Sequence, residues 1–280
     1  MVSDGNGGWV PYSDKVIPDE NLYFELAPIN SDYSVPLEDV ANAEVYSNLQ
    51  KWHALLNDNE RMSVWTYETN YSYFLYPFNN FDTFQVQMKT YSQNGITNMF
   101  SQGPAYTNQP GFQEMRLWVE SQIMWDVDRN YSELAYEFID VYYKDASAEI
   151  REYYDLIRAL YEKATLKGNS FSSIYADIST KDVWSEGVVD GFSKLFQRAY
   201  QKIEHYKTED AQMWQKLYDR LKSLEITITY TKLNYYRSNY TQAELNVLID
   251  EFNYYCAKNG YNKIAEGGAD CVGLFDSYKQ

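Results

Sequence analysis

The chain has 280 residues, 45% of them hydrophobic and 23% charged, the composition of a folded globular protein with room for one large domain or two modest ones. A formal charge of −16 repels phosphate backbones and anionic lipid headgroups, which excludes nucleic acid and an anionic membrane surface as partners. No apolar run approaches the roughly 20 residues of a bilayer span, and the opening MVSDGNGGWVPYSDK has neither the basic nor the apolar region of a signal peptide.

The unusual feature is 29 Tyr beside 7 Trp and 13 Phe. Aromatic faces stack on sugar rings and tyrosine hydroxyls bond sugar hydroxyls, so carbohydrate binding is one reading. The other is that Tyr serves as an amphipathic residue at the edge of the core. Cys256 and Cys271 are close in sequence. They are either two buried thiols or a bridge worth roughly 3 kcal/mol by the chain-entropy model. The two histidines, His53 and His205, have no Cys, His or Asp at ligand spacing, so neither a zinc site nor any other cofactor is expected.

Residues 1–20 are rich in Gly, Pro, Asp and Ser and read as a loop. Asn21 to Ile29, NLYFELAPI, reads as a strand buried on both faces, with Glu25 its only charge. Pro36 opens a helix carrying Leu37, Val40, Val45, Leu49, Trp52 and Leu56. A second strand is expected near 62–70 and a helix from an Asp82 N-cap to Asn94-Gly95. A third strand follows at 96–102, then a helix from about Phe112 to Trp125. Strands joined by helical crossovers lie parallel and open their ligand sites at their carboxyl ends. The polar clusters Tyr67-Glu68-Thr69-Asn70 and Ser101-Gln102-Gly103 should therefore share one edge. Three βα units at this spacing suit a (β/α) barrel, yet three strands cannot close one, and their edges call for further strands or a partner.

From residue 130 the pattern is helical. Expected helices carry Leu134, Phe138 and Ile139; then, from a Ser147 cap, Ile150, Tyr153, Tyr154, Ile157 and Leu160. A polar loop at about 167–184 precedes Val188, Phe192, Leu195, Phe196 and Ile203. A long helix with Trp214, Leu217, Leu221, Leu224 and Ile228 follows, and a capping box at Thr241-Gln-Ala-Glu244 starts the last. These stripes read as bundle core. The division expected is a barrel part at 1–128 and a helical domain at 129–280.

The segments VWTYETNYSYFLYPFNNF, NGITNMFSQG, MRLWVESQIMWDVD, LAYEFIDVYYKDASAEIREYYDLI and YTQAELNVLIDEFNYYCAKNG resemble, in order, the bacterial DUF4838 family over most of the chain from about residue 16. The resemblance implies secreted or cell-surface proteins related to α-glucuronidase- and hexosaminidase-type (β/α)8 barrels. By it, this chain holds the last three βα units of a TIM-type barrel followed by an all-α bundle, the other barrel strands lying upstream. Many members carry Asp after the Trp and an acid before the Gln-Gly, where this chain has Thr66 and Ser101. Trp65, Tyr67, Asn70, Gln102 and Gly103 match.

Glycoside hydrolysis needs two carboxyl groups about 5–5.5 Å or 6.5–9.5 Å apart. Of the strand-end acids Glu25, Asp32 and Glu68, the candidate catalytic pair is Glu25 and Glu68. Trp65, Tyr67, Asn70 and Gln102 are candidate sugar-binding residues, with the alternative that Asn70 and Gln102 only tie down loops. The leading expectation is a carbohydrate-active protein of glycoside-hydrolase type. The alternatives are a non-catalytic glycan-binding protein or a structural module on the same scaffold.

Overall fold

The computed structural model describes residues 2–3, 5, 9–10, 18–56, 61–166 and 173–280. Near the amino terminus, β1 (Val2–Ser3) and β2 (Trp9–Val10) pair antiparallel. The central sheet comprises β3 (Phe24–Leu26), β4 (Met62–Tyr67) and β5 (Asn98–Gln102), all parallel, in the order β3-β4-β5. The register sets Glu25 opposite Ser63, and Trp65 and Tyr67 opposite Phe100 and Gln102. The expected parallel arrangement is present, but each strand is shorter than its apolar run. Pro28 cannot donate to a ladder, so β3 ends at Leu26. Leu22 and Tyr23 lie in the open, and Glu25 is exposed instead of buried on both faces.

Helix α1 (Ala43–Leu56) starts later than Pro36, after a 3-10 turn at Val40–Asn42. Asp39 caps that turn by accepting from the Ala41 N–H at 2.9 Å. Val40 is consequently 87% exposed, while Leu37 is buried ahead of the turn. Helix α2 (Phe84–Gln93) has Thr83 at its N-cap, and Asp82 instead pairs with Arg158 of the helical half. Its end at Asn94-Gly95 is as expected, Gly95 supplying the left-handed backbone with φ 75°.

The remaining helices are α3 (Gln113–Trp125), α4 (Tyr131–Tyr143), α5 (Ser147–Leu166), α6 (Glu186–Ile203), the short α7 (Tyr206–Glu209), α8 (Ala211–Tyr235) and α9 (Gln242–Asn259). Helix α4 starts at Tyr131 because Asn130 accepts from the Glu133 N–H at 3.0 Å. Ser147 lies inside a helix that continues from the 3-10 turn Lys144–Ala146 and does not cap it. The capping box at Thr241 and Glu244 forms in both directions. Packing proceeds in sequence, α3 on α4, α4 on α5, α5 on α6, α6 on α8 and α8 on α9. Part of the loop expected at 167–184 lies outside the described residues. Its described end buries Trp184 completely. Among the described residues no helix is long and apolar enough to cross a membrane.

A single buried cluster runs without interruption from Leu37 and Met62 through Phe81, Met115, Tyr153 and Trp184 to Phe275. Sheet and bundle thus share one core across residue 128. Buried tyrosines populate the junction in two ways. Tyr161 donates to the Pro77 carbonyl at 2.8 Å, tying α5 to the loop after β4. Tyr153, fully buried between Phe112, Phe192 and Phe196, has a hydroxyl with no hydrogen-bond partner among the described residues. A buried hydroxyl without a partner costs about 1–3 kcal/mol, whereas a satisfied one contributes roughly 1 kcal/mol. Tyr153→Phe is therefore expected to leave stability unchanged or raise it, and Tyr161→Phe to lower it by about 1 kcal/mol. Urea unfolding of the two variants side by side checks the pair.

Candidate functional site

Alternation along the strands gives the sheet two unlike faces. Phe24, Leu26, Met62, Val64, Thr66 and Met99 point toward α1, α2 and α3. Met62 and Val64 are buried in the main core, and Phe24 packs against Trp52 at 4.7 Å. Glu25, Ser63, Trp65, Tyr67, Asn98, Phe100 and Gln102 point the other way, and no helix of the described residues covers them.

At the carboxyl end of this open face an aromatic cap has formed. Tyr33, Tyr67, Tyr71, Phe74, Phe78 and Ile174 make a second buried cluster, with Trp65 packed on its flank. Tyr67 meets Tyr33 and Tyr71 edge-on at 6.4 and 6.1 Å, and Tyr71 passes the contact to Tyr175, 53% exposed, at 6.0 Å. Below the cap the face is open. The Trp65 indole N–H donates to Gln102 Oε1 at 2.6 Å, which fixes the ring. Phe100, half exposed, lies against it at 4.6 Å. The Ser63 hydroxyl reaches Glu25 at 3.4 Å.

Trp65, Tyr67 and Gln102 are thus brought together. Asn70 is not part of their surface. It is fully buried, donates to the Ala176 carbonyl at 2.7 Å and accepts from the Ser72 N–H at 2.9 Å, so its amide joins the loop after β4 to the loop before α6.

Glu25 and Glu68 do not face one another. Glu25 is registered with Ser63, five residues before Glu68, a displacement of roughly 16 Å along the strand. Glu68 also lies on the opposite face, where the Thr66 hydroxyl donates to it at 3.2 Å. That geometry exceeds either separation that glycoside hydrolysis uses.

Glu68 has a different set of partners. Asn80 Nδ2 donates to its carboxylate, Arg116 of α3 donates to Asn80 Oδ1 and to the Phe78 carbonyl, and Glu120, one turn further along α3, contacts both Glu68 and Arg116. The Arg116 guanidinium also sits 3.9 Å from the Phe81 ring. All four side chains are buried. Burial raises the pKa of Glu68 despite Arg116 and Asn80 beside it. Burial and the charge of Glu68 push Glu120 well above the ordinary carboxyl value. One guanidinium near two buried carboxyls makes a neutral unit when one of the carboxyls keeps its proton.

Glu120, Arg116 and Asn80 were not anticipated from sequence. The readable signal was an ion pair at i and i+4 within the apolar stripe Met115, Val119 and Ile123, since a charge on a buried helix face requires a buried partner. Thr66 and Ser101 are cross-strand partners on this buried face. Both positions therefore belong to the surroundings of the internal network and not to the open face.

A polar cavity of about 590 Å³ lies beyond the loops after β3 and β4, lined by Ser34, Asn79, Asp82, Thr83, Asp155 and Arg158 among others. Two of its acids, Asp82 and Asp155, are already engaged. Arg158 pairs with Asp82 and with Asp155 at 3.3 Å, and the Tyr136 hydroxyl donates to Asp155 at 2.8 Å.

A short parallel sheet with helices on one face, opening at its strand ends and continuing into a helical bundle, places the chain in the mixed α/β class. The chain belongs to the DUF4838 family: the family model described as Domain of unknown function (DUF4838) matches residues 13–155. Comparison with curated proteins and with solved structures gives no match.

The network has a pH signature. The folded state holds the Glu120 proton above the ordinary value of 4.5. Its favourable contribution is therefore complete below that value and is lost as pH rises through the folded pKa. Glu120→Gln keeps the donor without the titration. The variant is expected to gain melting temperature relative to the parent as the medium goes from about pH 5 to about pH 8. Arg116→Met strands a charge and should cost about 3–5 kcal/mol. Thermal melts of the three proteins across that pH range decide the matter.

Proposed function

We propose that the chain is a carbohydrate-binding member of a glycoside-hydrolase-type scaffold, with the open sheet face as its glycan-contacting surface. The observation that carries this reading is the Trp65–Gln102–Phe100 group, an indole fixed at 2.6 Å by an amide oxygen, beside a half-exposed phenyl ring. Flat aromatic faces next to amide and carboxylate groups, here Gln102, Asn98 and Glu25, fit the alternating C–H and O–H surfaces of a sugar ring. Binding is favoured over hydrolysis within this chain because the convergent acids, Glu68 and Glu120, are enclosed in the core with Arg116, while Glu25 stands apart from them.

The same reading gives the sheet a larger setting. Beyond β3 and β5 the parallel edges have no strand partner among the described residues, and one face is helix-covered while the other is not. Both features suit a segment of a (β/α) barrel, whose other strands would pair with these edges and whose lumen would be the open face. A secreted or cell-surface setting, where such glycans are met, belongs to the same proposal.

The test is affinity electrophoresis and calorimetry against soluble plant polysaccharides and host-type glycans. Phe100→Ala and Gln102→Ala are expected to weaken binding at least tenfold, about 1.4 kcal/mol, with melting temperature nearly unchanged. If the parent protein binds no glycan and Gln102→Ala lowers stability, the group is scaffolding and the proposal fails.

A further inference from the structure

Cys256 and Cys271 are fifteen positions apart, both completely buried and both free thiols in this structure, with Cys271 the neighbour that acts most strongly on the Cys256 thiol. Cys256 lies near the end of α9, where its carbonyl accepts from the Tyr261 N–H at 2.9 Å. The chain then turns back on itself. The Cys271 N–H donates to the Asn262 carbonyl at 2.9 Å, Ile264 N–H to Ala269 at 3.1 Å, and Lys263 bridges Asp270 antiparallel. The second cysteine is thereby returned to the first.

The segment enclosed between them is attached to the loops at the carboxyl end of the sheet. Gly260 O accepts from the Asn108 N–H at 2.9 Å, and the Asn262 N–H donates to the Thr107 hydroxyl at 2.8 Å. Asn262 Nδ2 reaches the Tyr106 carbonyl at 2.9 Å. Further along, Ile264 O accepts from Phe74 N–H at 2.9 Å, and Glu266 N–H donates to Tyr71 O at 2.7 Å. Residues 260–271 are a strap holding the loop after β5 and the aromatic loop after β4.

We propose that Cys256 and Cys271 form a disulfide that fastens this strap, making the order of the loops over the sheet's carboxyl end depend on redox state. The step is thiol–disulfide exchange with a small disulfide such as oxidised glutathione. One cysteine, as thiolate, attacks a glutathione sulfur and expels glutathione thiolate. The other, deprotonated in turn, attacks the mixed disulfide, forms the S–S bond and expels the second glutathione. The two cysteines lose two electrons and two protons, and the glutathione disulfide gains them as two thiols. The neighbouring Cys271, and then burial, push the Cys256 thiol up, so closure belongs to folding or to moments when the strap lifts. The inference is independent of what the open face binds.

The experiment refolds the whole chain with excess oxidised glutathione and, separately, with dithiothreitol. Peptide mapping without reduction should recover a Cys256–Cys271 linked peptide from the first sample alone. The oxidised protein should melt several degrees higher, a rise absent from Cys256→Ala and Cys271→Ala. Amide exchange at Phe74, Asn108 and Asn262 should slow in the oxidised form. Recovery of two free thiols, or of glutathione on a single cysteine, after refolding with the oxidant overturns the bridge. A bridge that forms with exchange at Phe74 and Asn108 unchanged overturns the strap.

Discussion

Arg116 carries a full positive charge at a place water does not reach, and the geometry at the carboxyl end of the sheet follows from how that charge is matched. Its guanidinium holds the Phe78 carbonyl and the Asn80 side chain, Asn80 holds Glu68, and Glu120 lies 3.9 Å from Arg116, its proton held by burial and the nearby charge of Glu68. The chain therefore joins β4's end, the loop after it and α3 through one neutral, dry unit. Breaking one member leaves a buried charge unmatched, which is more costly than the net contribution of the intact unit. The same unit explains why Glu68, although it follows a strand end, is not available to a ligand. It is turned inward to serve α3.

The opposite face is organised by the absence of such a demand. With Glu68 drawn to the helix side, alternation sends Tyr67 and Trp65 to the other side, where Tyr67 is roofed by Tyr33 and Tyr71 and Trp65 remains partly open. The site proposed here is thus a consequence of strand pleating applied to a short sequence, Trp-Thr-Tyr-Glu, in which aromatic and polar residues alternate. The first and third serve the open face and the second and fourth the core.

Much of this was legible in the sequence. Helical periodicity located α2 to α6, α8 and α9 but not the short α7, because the apolar stripes of the others are long and two of the ends read, at Gly95 and Thr241, carry clear capping chemistry. The parallel order of the strands followed from their helical crossovers. Which way a strand-end side chain points was not legible. Glu25 and Glu68 read alike as acids in apolar strands, yet the first is exposed and the second enclosed, since only the pairing register and the presence of Arg116 on α3 separate them. Asn70 and Gln102 read alike as strand-end amides, but one is used up on backbone groups and the other holds an indole. Register and tertiary partners are long-range facts, and a single strand's composition does not contain them.

The tyrosine excess has a physical explanation of its own, separate from sugar binding. A bundle packed edge-on against irregular loops leaves carbonyls at the boundary between apolar layers, and a side chain with an apolar ring and a terminal donor fits there. Tyr161 reaches Pro77, Tyr236 reaches the Trp184 carbonyl at 2.8 Å, and Tyr76 meets Thr231 at 3.1 Å. Tyr153 and Tyr154 show the limit of that use, since their rings fill the core between α3, α5 and α6 while their hydroxyls have no partner among the described residues. Tyrosine count alone therefore does not locate a glycan site. The proposed site rests instead on exposure of a ring beside a fixed amide, a description that at the open face fits Trp65 and Phe100 rather than the tyrosines that dominate the composition.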